Sequence, residues 1–240
     1  MSQTLFISDL HLDQKRPHII AAFCRFLEDI SGSDGLYILG DLFEYWIGDD
    51  DPAIGLESTI TSLKKLSESG TPVYFIHGNR DFLIGKRFAQ KSNCEILAEE
   101  TVVDLYGTPA LIMHGDTLCT DDIAYQKYRK KVRNPIVQKA LLMLSVKRRL
   151  KMADALRAKS KTAVQEKSED IMDVNQQAVI SVMHKHKVTR LIHGHTHRPA
   201  THDFIYDDKS QQRIVLGDWY TQGSVLRVSP SAYELETLHI

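Results

Sequence analysis

Asp9, His11, Asp41, Asn79, His114, His195 and His197 are the residues whose types and placement point to chemistry. Each stands just beyond a short apolar run that reads as a strand. Asp9-Leu10-His11 follows Leu5-Phe6-Ile7, and Gly40-Asp41 follows Leu36 to Leu39. Gly78-Asn79-Arg80-Asp81 follows Val73 to Ile76, His114-Gly115-Asp116 follows Leu111 to Met113, and Gly194-His195-Thr196-His197 follows Leu191-Ile192. A lone Asp after a strand is ordinarily a cap or turn residue. Clusters of ligand-type residues at the carboxyl ends of several strands instead describe one site built from loops. Carboxylate, imidazole and amide groups without a thiolate suit borderline to hard divalent ions rather than a sulfur-ligated structural zinc. The set exceeds what one four-coordinate ion takes. It fits two ions about 4 Å apart sharing a carboxylate, which together would clamp a phosphoryl oxygen and activate a water.

The elements that must position these residues follow from the pattern. Residues 1 to about 120 alternate apolar strands with helical stretches. Pro17 to Ile30 predicts a helix, with Ile20, Phe23, Phe26, Leu27 and Ile30 at helical spacing, and Gly55 to Ser69 predicts another. This alternation implies right-handed crossovers and a largely parallel sheet. Thr101–Leu105 and Ala110–Met113 around Tyr106-Gly107 predict a hairpin. From 121 to about 185 strand signals vanish and helical patterns dominate, with Ile171 to Lys185 leading back to the core. Leu191–His193, Arg213–Gly217, Val225–Val228 and Tyr233–Leu238 are the remaining expected strands. Ligands of such sheets bind beyond the carboxyl ends of the strands, where the clusters fall.

The chain has 240 residues, enough for a substantial core, and its formal charge of −1 excludes a strongly basic or acidic protein. The strand pattern beginning at Thr4 predicts no secretory signal, and no apolar run approaches a membrane span. Cys24, Cys94 and Cys119 are too scattered for a disulfide framework and are expected to be reduced thiols in a cytoplasmic protein. Charge is unevenly spread: residues 127–161 hold 13 Lys and Arg and one acidic residue, Asp154. Within this basic segment Ile136, Val137, Ala140, Leu141, Met143, Leu144 and Val146 form a dense apolar stretch, followed by Lys147-Arg148-Arg149-Leu150-Lys151.

The ordered set Asp-x-His, Gly-Asp, Gly-Asn, His-Gly and Gly-His-x-His resembles the signature of the calcineurin-like metallophosphoesterases, and spans residues 9 to 197. The resemblance implies an α/β four-layer αββα sandwich with two metal ions. The expected organisation is one domain over residues 1–240 with a helical cap inserted at about 121–170. Asp9, His11, Asp41 and His197 would hold one ion, and Asp41, Asn79, His114 and His195 the other, with Asp41 bridging. One departure is informative. Where many members have Gly-Asn-His, this chain has Gly78-Asn79-Arg80. A guanidinium cannot serve as a proton donor, but it grips phosphate oxygens and offsets developing charge. That suits cleavage within a pyrophosphate, whose departing phosphate needs no proton.

The longer strings FISDLHL from Phe6, YILGDLFEYWIGDDD from Tyr37, YFIHGNRDFL from Tyr74, LIMHGDTLCTDD from Leu111 and LIHGHTHRP from Leu191 closely resemble the UDP-2,3-diacylglucosamine hydrolase family of lipid A biosynthesis. The resemblance implies attack of metal-activated water on the α-phosphate of UDP-2,3-diacylglucosamine, giving UMP and 2,3-diacylglucosamine 1-phosphate (lipid X). Two Mn²⁺ ions are the expected cofactors. Asp41, Asn79, Arg80, His114 and His195 would carry catalysis, and Asn79, Arg80, Asp122, Ser160, Lys167 and His195 would contact substrate. Val164 stands where that family often has an Asn. Asp81 and Asp116 are expected to orient ligands or loops, and Asp49-Asp50-Asp51 to be an acidic loop or helix start rather than a metal tract. The insertion would accept acyl chains on its apolar face and meet anionic headgroups with its basic residues. The expectation is a monomer, peripheral on the cytoplasmic face of the inner membrane. A nucleic-acid substrate is disfavoured, because the segment lacks the spaced aromatics of a single-strand groove.

Overall fold

The computed structural model describes residues 2–166 and 173–240, with the side chains of 159–166 outside that description. Its elements follow from where apolar residues recur. Strands β1 (Thr4–Ile7), β2 (Gly35–Ile38), β3 (Val73–Phe75) and β4 (Cys94–Ile96) lie parallel in one sheet. Strand β10 (Gly223–Val228) adds antiparallel to β1, and β11 (Tyr233–Leu238) closes that edge, giving the order β11-β10-β1-β2-β3-β4. The second sheet has the order β5-β6-β7-β9-β8. It contains the hairpin β5 (Thr101–Leu105) and β6 (Thr108–Ile112), then β7 (Arg190–His193), β8 (Ala200–Tyr206) and β9 (Lys209–Val215), with β6, β7 and β9 parallel.

The sheets are buried on both faces, which is why their central strands read as continuous apolar runs. Phe6, Leu39, Ile76 and Leu226 of the first sheet meet Ile112, Ile192 and Ile214 of the second. On the outer face of the first sheet pack α1 (Pro17–Asp29), α2 (Glu57–Glu68) and α3 (Lys86–Ser92), through Ile19, Phe23, Leu63 and Phe88. Val179, Val182 and Met183 of a helix at Gln176–His186 cover Leu111, Met113 and Leu191 on the outer face of the second. The result is the αββα sandwich that the motif order implied.

Between the 3-10 turn Asp116–Leu118 and the Gln176–His186 helix run α4 (Ile123–Val132), α5 (Pro135–Leu142) and α6 (Val146–Glu166); Gln176–His186 is α7. None of the α4 or α5 residues is buried. These helices are tied to the loops at the carboxyl edge of the first sheet by charged side chains. Arg133 Nη2 donates to the His77 and Gly78 carbonyls, Arg157 Nε lies 2.8 Å from Glu44 Oε1, and Arg149 pairs with Asp50 and the Ile47 carbonyl. Arg149 is therefore buried and engaged within the protein, a correction to the expectation that the whole basic run meets headgroups. Lys147, Arg148 and Lys151 remain exposed. Lys167 and Val164, and the side chain of Ser160, lie outside the described residues.

Candidate metal centre

The parallel ladders do not stop where the strands end. Asp9 N–H donates to the Gly40 carbonyl, His11 N–H to Asp41 and Leu12 N–H to Leu42, while Gly194 N–H donates to His114 and Leu216 N–H to His193. Pairing thus carries the loops past the sheet edges in register and aims their side chains at one point. The turns require unusual backbone: Asp9, His11, Asp41, His195 and His197 all have positive φ, between 49° and 71°. Non-glycine residues adopt that region at a cost, and its concentration at these ligand-type residues marks a site. Two glycines are there for close approach. A Cβ at Gly78 would overlap the Asp41 carboxylate, and one at Gly194 would overlap Ser8 and the Asp9 carboxylate.

Two groups of side chains bring their donor atoms within 4.8 Å of one another: Asp9, His11 and His197, and Asp9, Asp41 and His114. Asp41 lies between two histidines, with Oδ2 3.9 Å from His11 Nε2 and Oδ1 3.9 Å from His114 Nε2. Asp9 Oδ1 lies 3.3 Å from His197 Nε2 and 4.0 Å from His11 Nε2. Asn79 joins through Oδ1, 3.0 Å from His114 Nε2. His195 enters by its backbone, donating N–H to Asp9 Oδ2 over 2.8 Å, and its ring centroid is 5.0 Å from that of His114.

The donor atoms fit divalent cations. His114 Nδ1 donates to the Leu39 carbonyl over 2.8 Å, which turns the lone pair of Nε2 toward Asn79 Oδ1. Two acceptors face each other there unless a proton or cation lies between them. His11 Nε2 and His197 Nε2 lie 3.3 Å apart, a hydrogen-bond distance that needs a proton on one of them or a cation between them. Burial alone would raise the Asp9 carboxyl, yet His197, His114 and His11 hold it well below the usual range, so it is ionised. Burial, with Asp81 and Asp9 nearby, pushes Asp41 up. His11 and His195 are pushed down, chiefly by burial, and present neutral imidazoles. Buried carboxylates among imidazoles, two of them neutral and the others able to give up a proton on loading, are a ligand set for metal ions.

The neighbouring residues hold these ligands in place. Asp81 accepts Gly78 N–H and Leu42 N–H, each over 2.8 Å, and so staples the Asn79 loop to the Asp41 loop. Arg80 N–H donates to Asp41 Oδ1 over 2.8 Å, while its Nε is buried without a hydrogen-bond partner among the described residues. Asp122 caps α4, accepting Tyr125 N–H. Asp49 accepts Gly85, Arg87 and Phe88 N–H at the start of α3 and the Trp46 indole N–H, so it is a cap and not a metal ligand. Sequence reasoning missed two acidic residues. Asp218 Oδ2 lies 3.2 Å from His197 Nδ1 and fixes that ring; Gly217-Asp218 repeats the strand-then-Gly-Asp pattern that revealed Asp41. Glu44, 3.9 Å from His11 Nδ1, carries no comparable signal.

A family model for calcineurin-like phosphoesterases matches residues 2–199, and the chain belongs to that family of metal-dependent hydrolases. Within it, the chain is 55% identical to the UDP-2,3-diacylglucosamine hydrolase of Serratia proteamaculans over 97% of both chains. It is 54% identical to that of Salmonella paratyphi B over the same share. Among solved structures, an archaeal phosphodiesterase superposes with a TM-score of 0.50 at 12% identity, covering 98% of this chain and 99% of its own, a likeness of fold alone.

Proposed function

We propose that the protein hydrolyses the pyrophosphate bond of UDP-2,3-diacylglucosamine in lipid A biosynthesis, with water attacking the α-phosphorus and UMP and 2,3-diacylglucosamine 1-phosphate leaving. The observation that carries this reading beyond a generic phosphoesterase is Arg80. Its backbone is fixed against Asp41, and its buried Nε is free of any hydrogen bond in the described structure. A guanidinium beside the carboxylate–imidazole cluster stabilises charge on a pyrophosphate without supplying a proton, and a phosphate leaving group requires none. The relatives named for this substrate, covering nearly the whole chain, support the choice.

Asp9, His11, Asp41 and His197 would hold one divalent ion, and Asp41, Asn79, His114 and His195 the second, with manganese as our proposed metal. When bound, such a pair lowers the pKa of water and neutralises phosphoryl oxygens. The chain's own residues do the positioning. Asp41 spans the gap between His11 and His114, Asp218 fixes the His197 ring, and Asp81 locks the two loops together. Asp122, Ser160 and Lys167 are proposed to contact substrate alongside Asn79, Arg80 and His195.

The helical segment supports an acylated substrate. Ile136 and Met143 are 79% and 81% exposed beside Lys139, Lys147 and Arg148. Apolar side chains flanked by cations suit the boundary of an anionic bilayer. We place the protein as a peripheral monomer on the cytoplasmic face of the inner membrane. The test is turnover of UDP-2,3-diacylglucosamine in mixed micelles with manganese and oxygen-18 water. Labelled UMP is the expected product. Label in the lipid phosphate would move the attack to the other phosphorus, and no turnover alongside cleavage of a simple phosphodiester would discard the lipid substrate.

A further inference from the structure

On the outer face of the second sheet, apart from the histidine cluster, Arg213 of β9 is buried at 8% exposure. Its neighbour beneath is His193, which donates from Nδ1 to the Gly194 carbonyl over 2.8 Å and so presents a lone pair at Nε2. Arg213 Nη1 points to that lone pair at 3.5 Å. Among the described residues no carboxylate lies within ion-pair distance of this guanidinium. Buried cations are as a rule paired, because desolvating one without a counter-charge is costly. Here the hydrogen-bonding neighbour is a neutral imidazole, so the guanidinium has no directly paired carboxylate.

Arg213 lines a cavity of about 200 Å³ together with Thr196, Arg198, His202 and Asp173. Asp173 pairs with Arg198, Oδ2 to Nη1 at 3.2 Å, and offsets part of the Arg213 charge from a distance without an ion pair to it. Thr196 Oγ1 is buried and has no hydrogen-bond partner among the described residues. His202 faces Arg213 directly across the β8–β9 pair. A buried guanidinium without an ion-paired carboxylate and an unsatisfied hydroxyl on one cavity ask for the same thing: an anion that accepts from both.

We infer that this cavity is a binding site for a phosphate-class oxyanion, held by Arg213 and Thr196. It goes beyond the proposed pyrophosphatase reaction and does not depend on it. Thr196 sits in the chain between His195 and His197, so an anion bound here abuts the loop that carries both. The cavity has room for more than inorganic phosphate, and the same chemistry serves a free phosphate or the phosphate of a mononucleotide.

The test is calorimetric titration of inorganic phosphate into the full, manganese-loaded chain, repeated after chelation. The expected result is a phosphate site that survives chelation in the unsubstituted protein. Arg213→Gln weakens it about tenfold or more, as loss of a charge-assisted partner should, with metal content unchanged. Thr196→Val, which keeps the shape and removes only the hydroxyl, weakens it less, and it stands in should Arg213→Gln fold poorly. Tighter binding of a nucleoside monophosphate than of inorganic phosphate would assign the site to a nucleotide, and equal binding to free phosphate. Phosphate binding that vanishes on chelation, or that both variants retain unchanged, overturns the site.

Discussion

The Tyr125 hydroxyl donates to Asp116 Oδ2 over 2.8 Å while its ring lies 5.9 Å from that of His195, inclined by 29°. One side chain of α4 thus touches both the loop after His114 and the loop after β7. Asp116 is buried and also accepts from Arg129 Nε at 2.7 Å, and Gln126 holds its carbonyl. The helical segment and the candidate metal centre are therefore one mechanical unit. Tyr125→Phe is expected to lower kcat about tenfold, in the range of changes to groups that orient metal ligands, with the metal complement retained. Single-turnover kinetics beside metal analysis decides: an unchanged kcat would mean that the hydroxyl does not position His195.

Much of this arrangement could be read from the chain. Strands β1, β2, β6 and β7 are buried on both faces, so they appear as short apolar runs, and their following loops carry uncommon polar residues. The helix expected at Pro17–Ile30 is found at Pro17–Asp29, and that expected at Gly55–Ser69 at Glu57–Glu68. What escaped is what lacks periodicity. Helix α3 spans 7 residues and β4 spans 3, too short for a pattern to show. Strand β8 is an edge strand whose residues are mostly exposed, so Thr201, His202 and Asp203 read as loop. Tyr125 carried no signal as a site residue, because its role depends on where α4 lands. The helical segment expected to run to Lys185 ends at His186, with Lys187 in a left-handed turn usually marked by glycine.

Asp41→Ala should be the most severe single change at the centre. One carboxylate serves both halves, with an oxygen facing His11 and the other facing His114. Removing it takes a charge from each candidate ion site and also releases Arg80 N–H. Activity should fall by roughly 10³-fold or more, since divalent ions in such sites contribute several kcal/mol of charge stabilisation. Metal content should fall with it. Near-normal turnover with a full complement of metal would refute the shared role.

Arg80→Ala should separate catalysis from metal binding. A guanidinium offers no lone pair to a cation, and it is the Arg80 backbone N–H that is hydrogen-bonded to Asp41. Loss of an electrostatic stabiliser of this kind typically costs about 10²–10³ in kcat. Arg80→Lys should recover part of the loss, because it restores the charge without the two-pronged grip. Release of metal from Arg80→Ala would show that the residue acts through the cluster and not on substrate.

Membrane association is expected to depend on Lys147 and Arg148, the exposed members of the basic run, and not on Arg149, which is committed to Asp50. Reversing both to Glu should weaken binding to anionic vesicles by tenfold or more, given about 1 kcal/mol per basic residue near such a surface. Metal content should be untouched, and sedimentation indistinguishable from the unsubstituted protein would remove these residues from the membrane face.

Metal affinity should rise with pH, and the direction follows from the protons that the free site holds. Burial opposes a charge on His197, but Asp218 and Asp9 outweigh it and raise that imidazole to about 10. Burial raises Asp41 to about 7, with Asp81 and Asp9 adding to it. Both groups must be deprotonated to bind a cation, so loading releases their protons. Below about 10, His197 carries its proton in the free protein, and apparent affinity should climb by about one decade per pH unit. Below about 7, Asp41 adds a second proton, and His114, opposed by burial but raised overall by Asp41 and Asp9, holds another toward the low end, so the slope steepens. His11 and His195, already neutral, contribute nothing to the slope in this window. Manganese titrations from pH 6 to 9, run in buffers of different ionisation enthalpy, count the protons released. Asp218→Asn should flatten the upper part of the curve by removing one of the two carboxylates that hold the His197 proton. An affinity independent of pH would mean that the free cluster is already deprotonated and that His11 and His197 face each other across 3.3 Å without a shared proton.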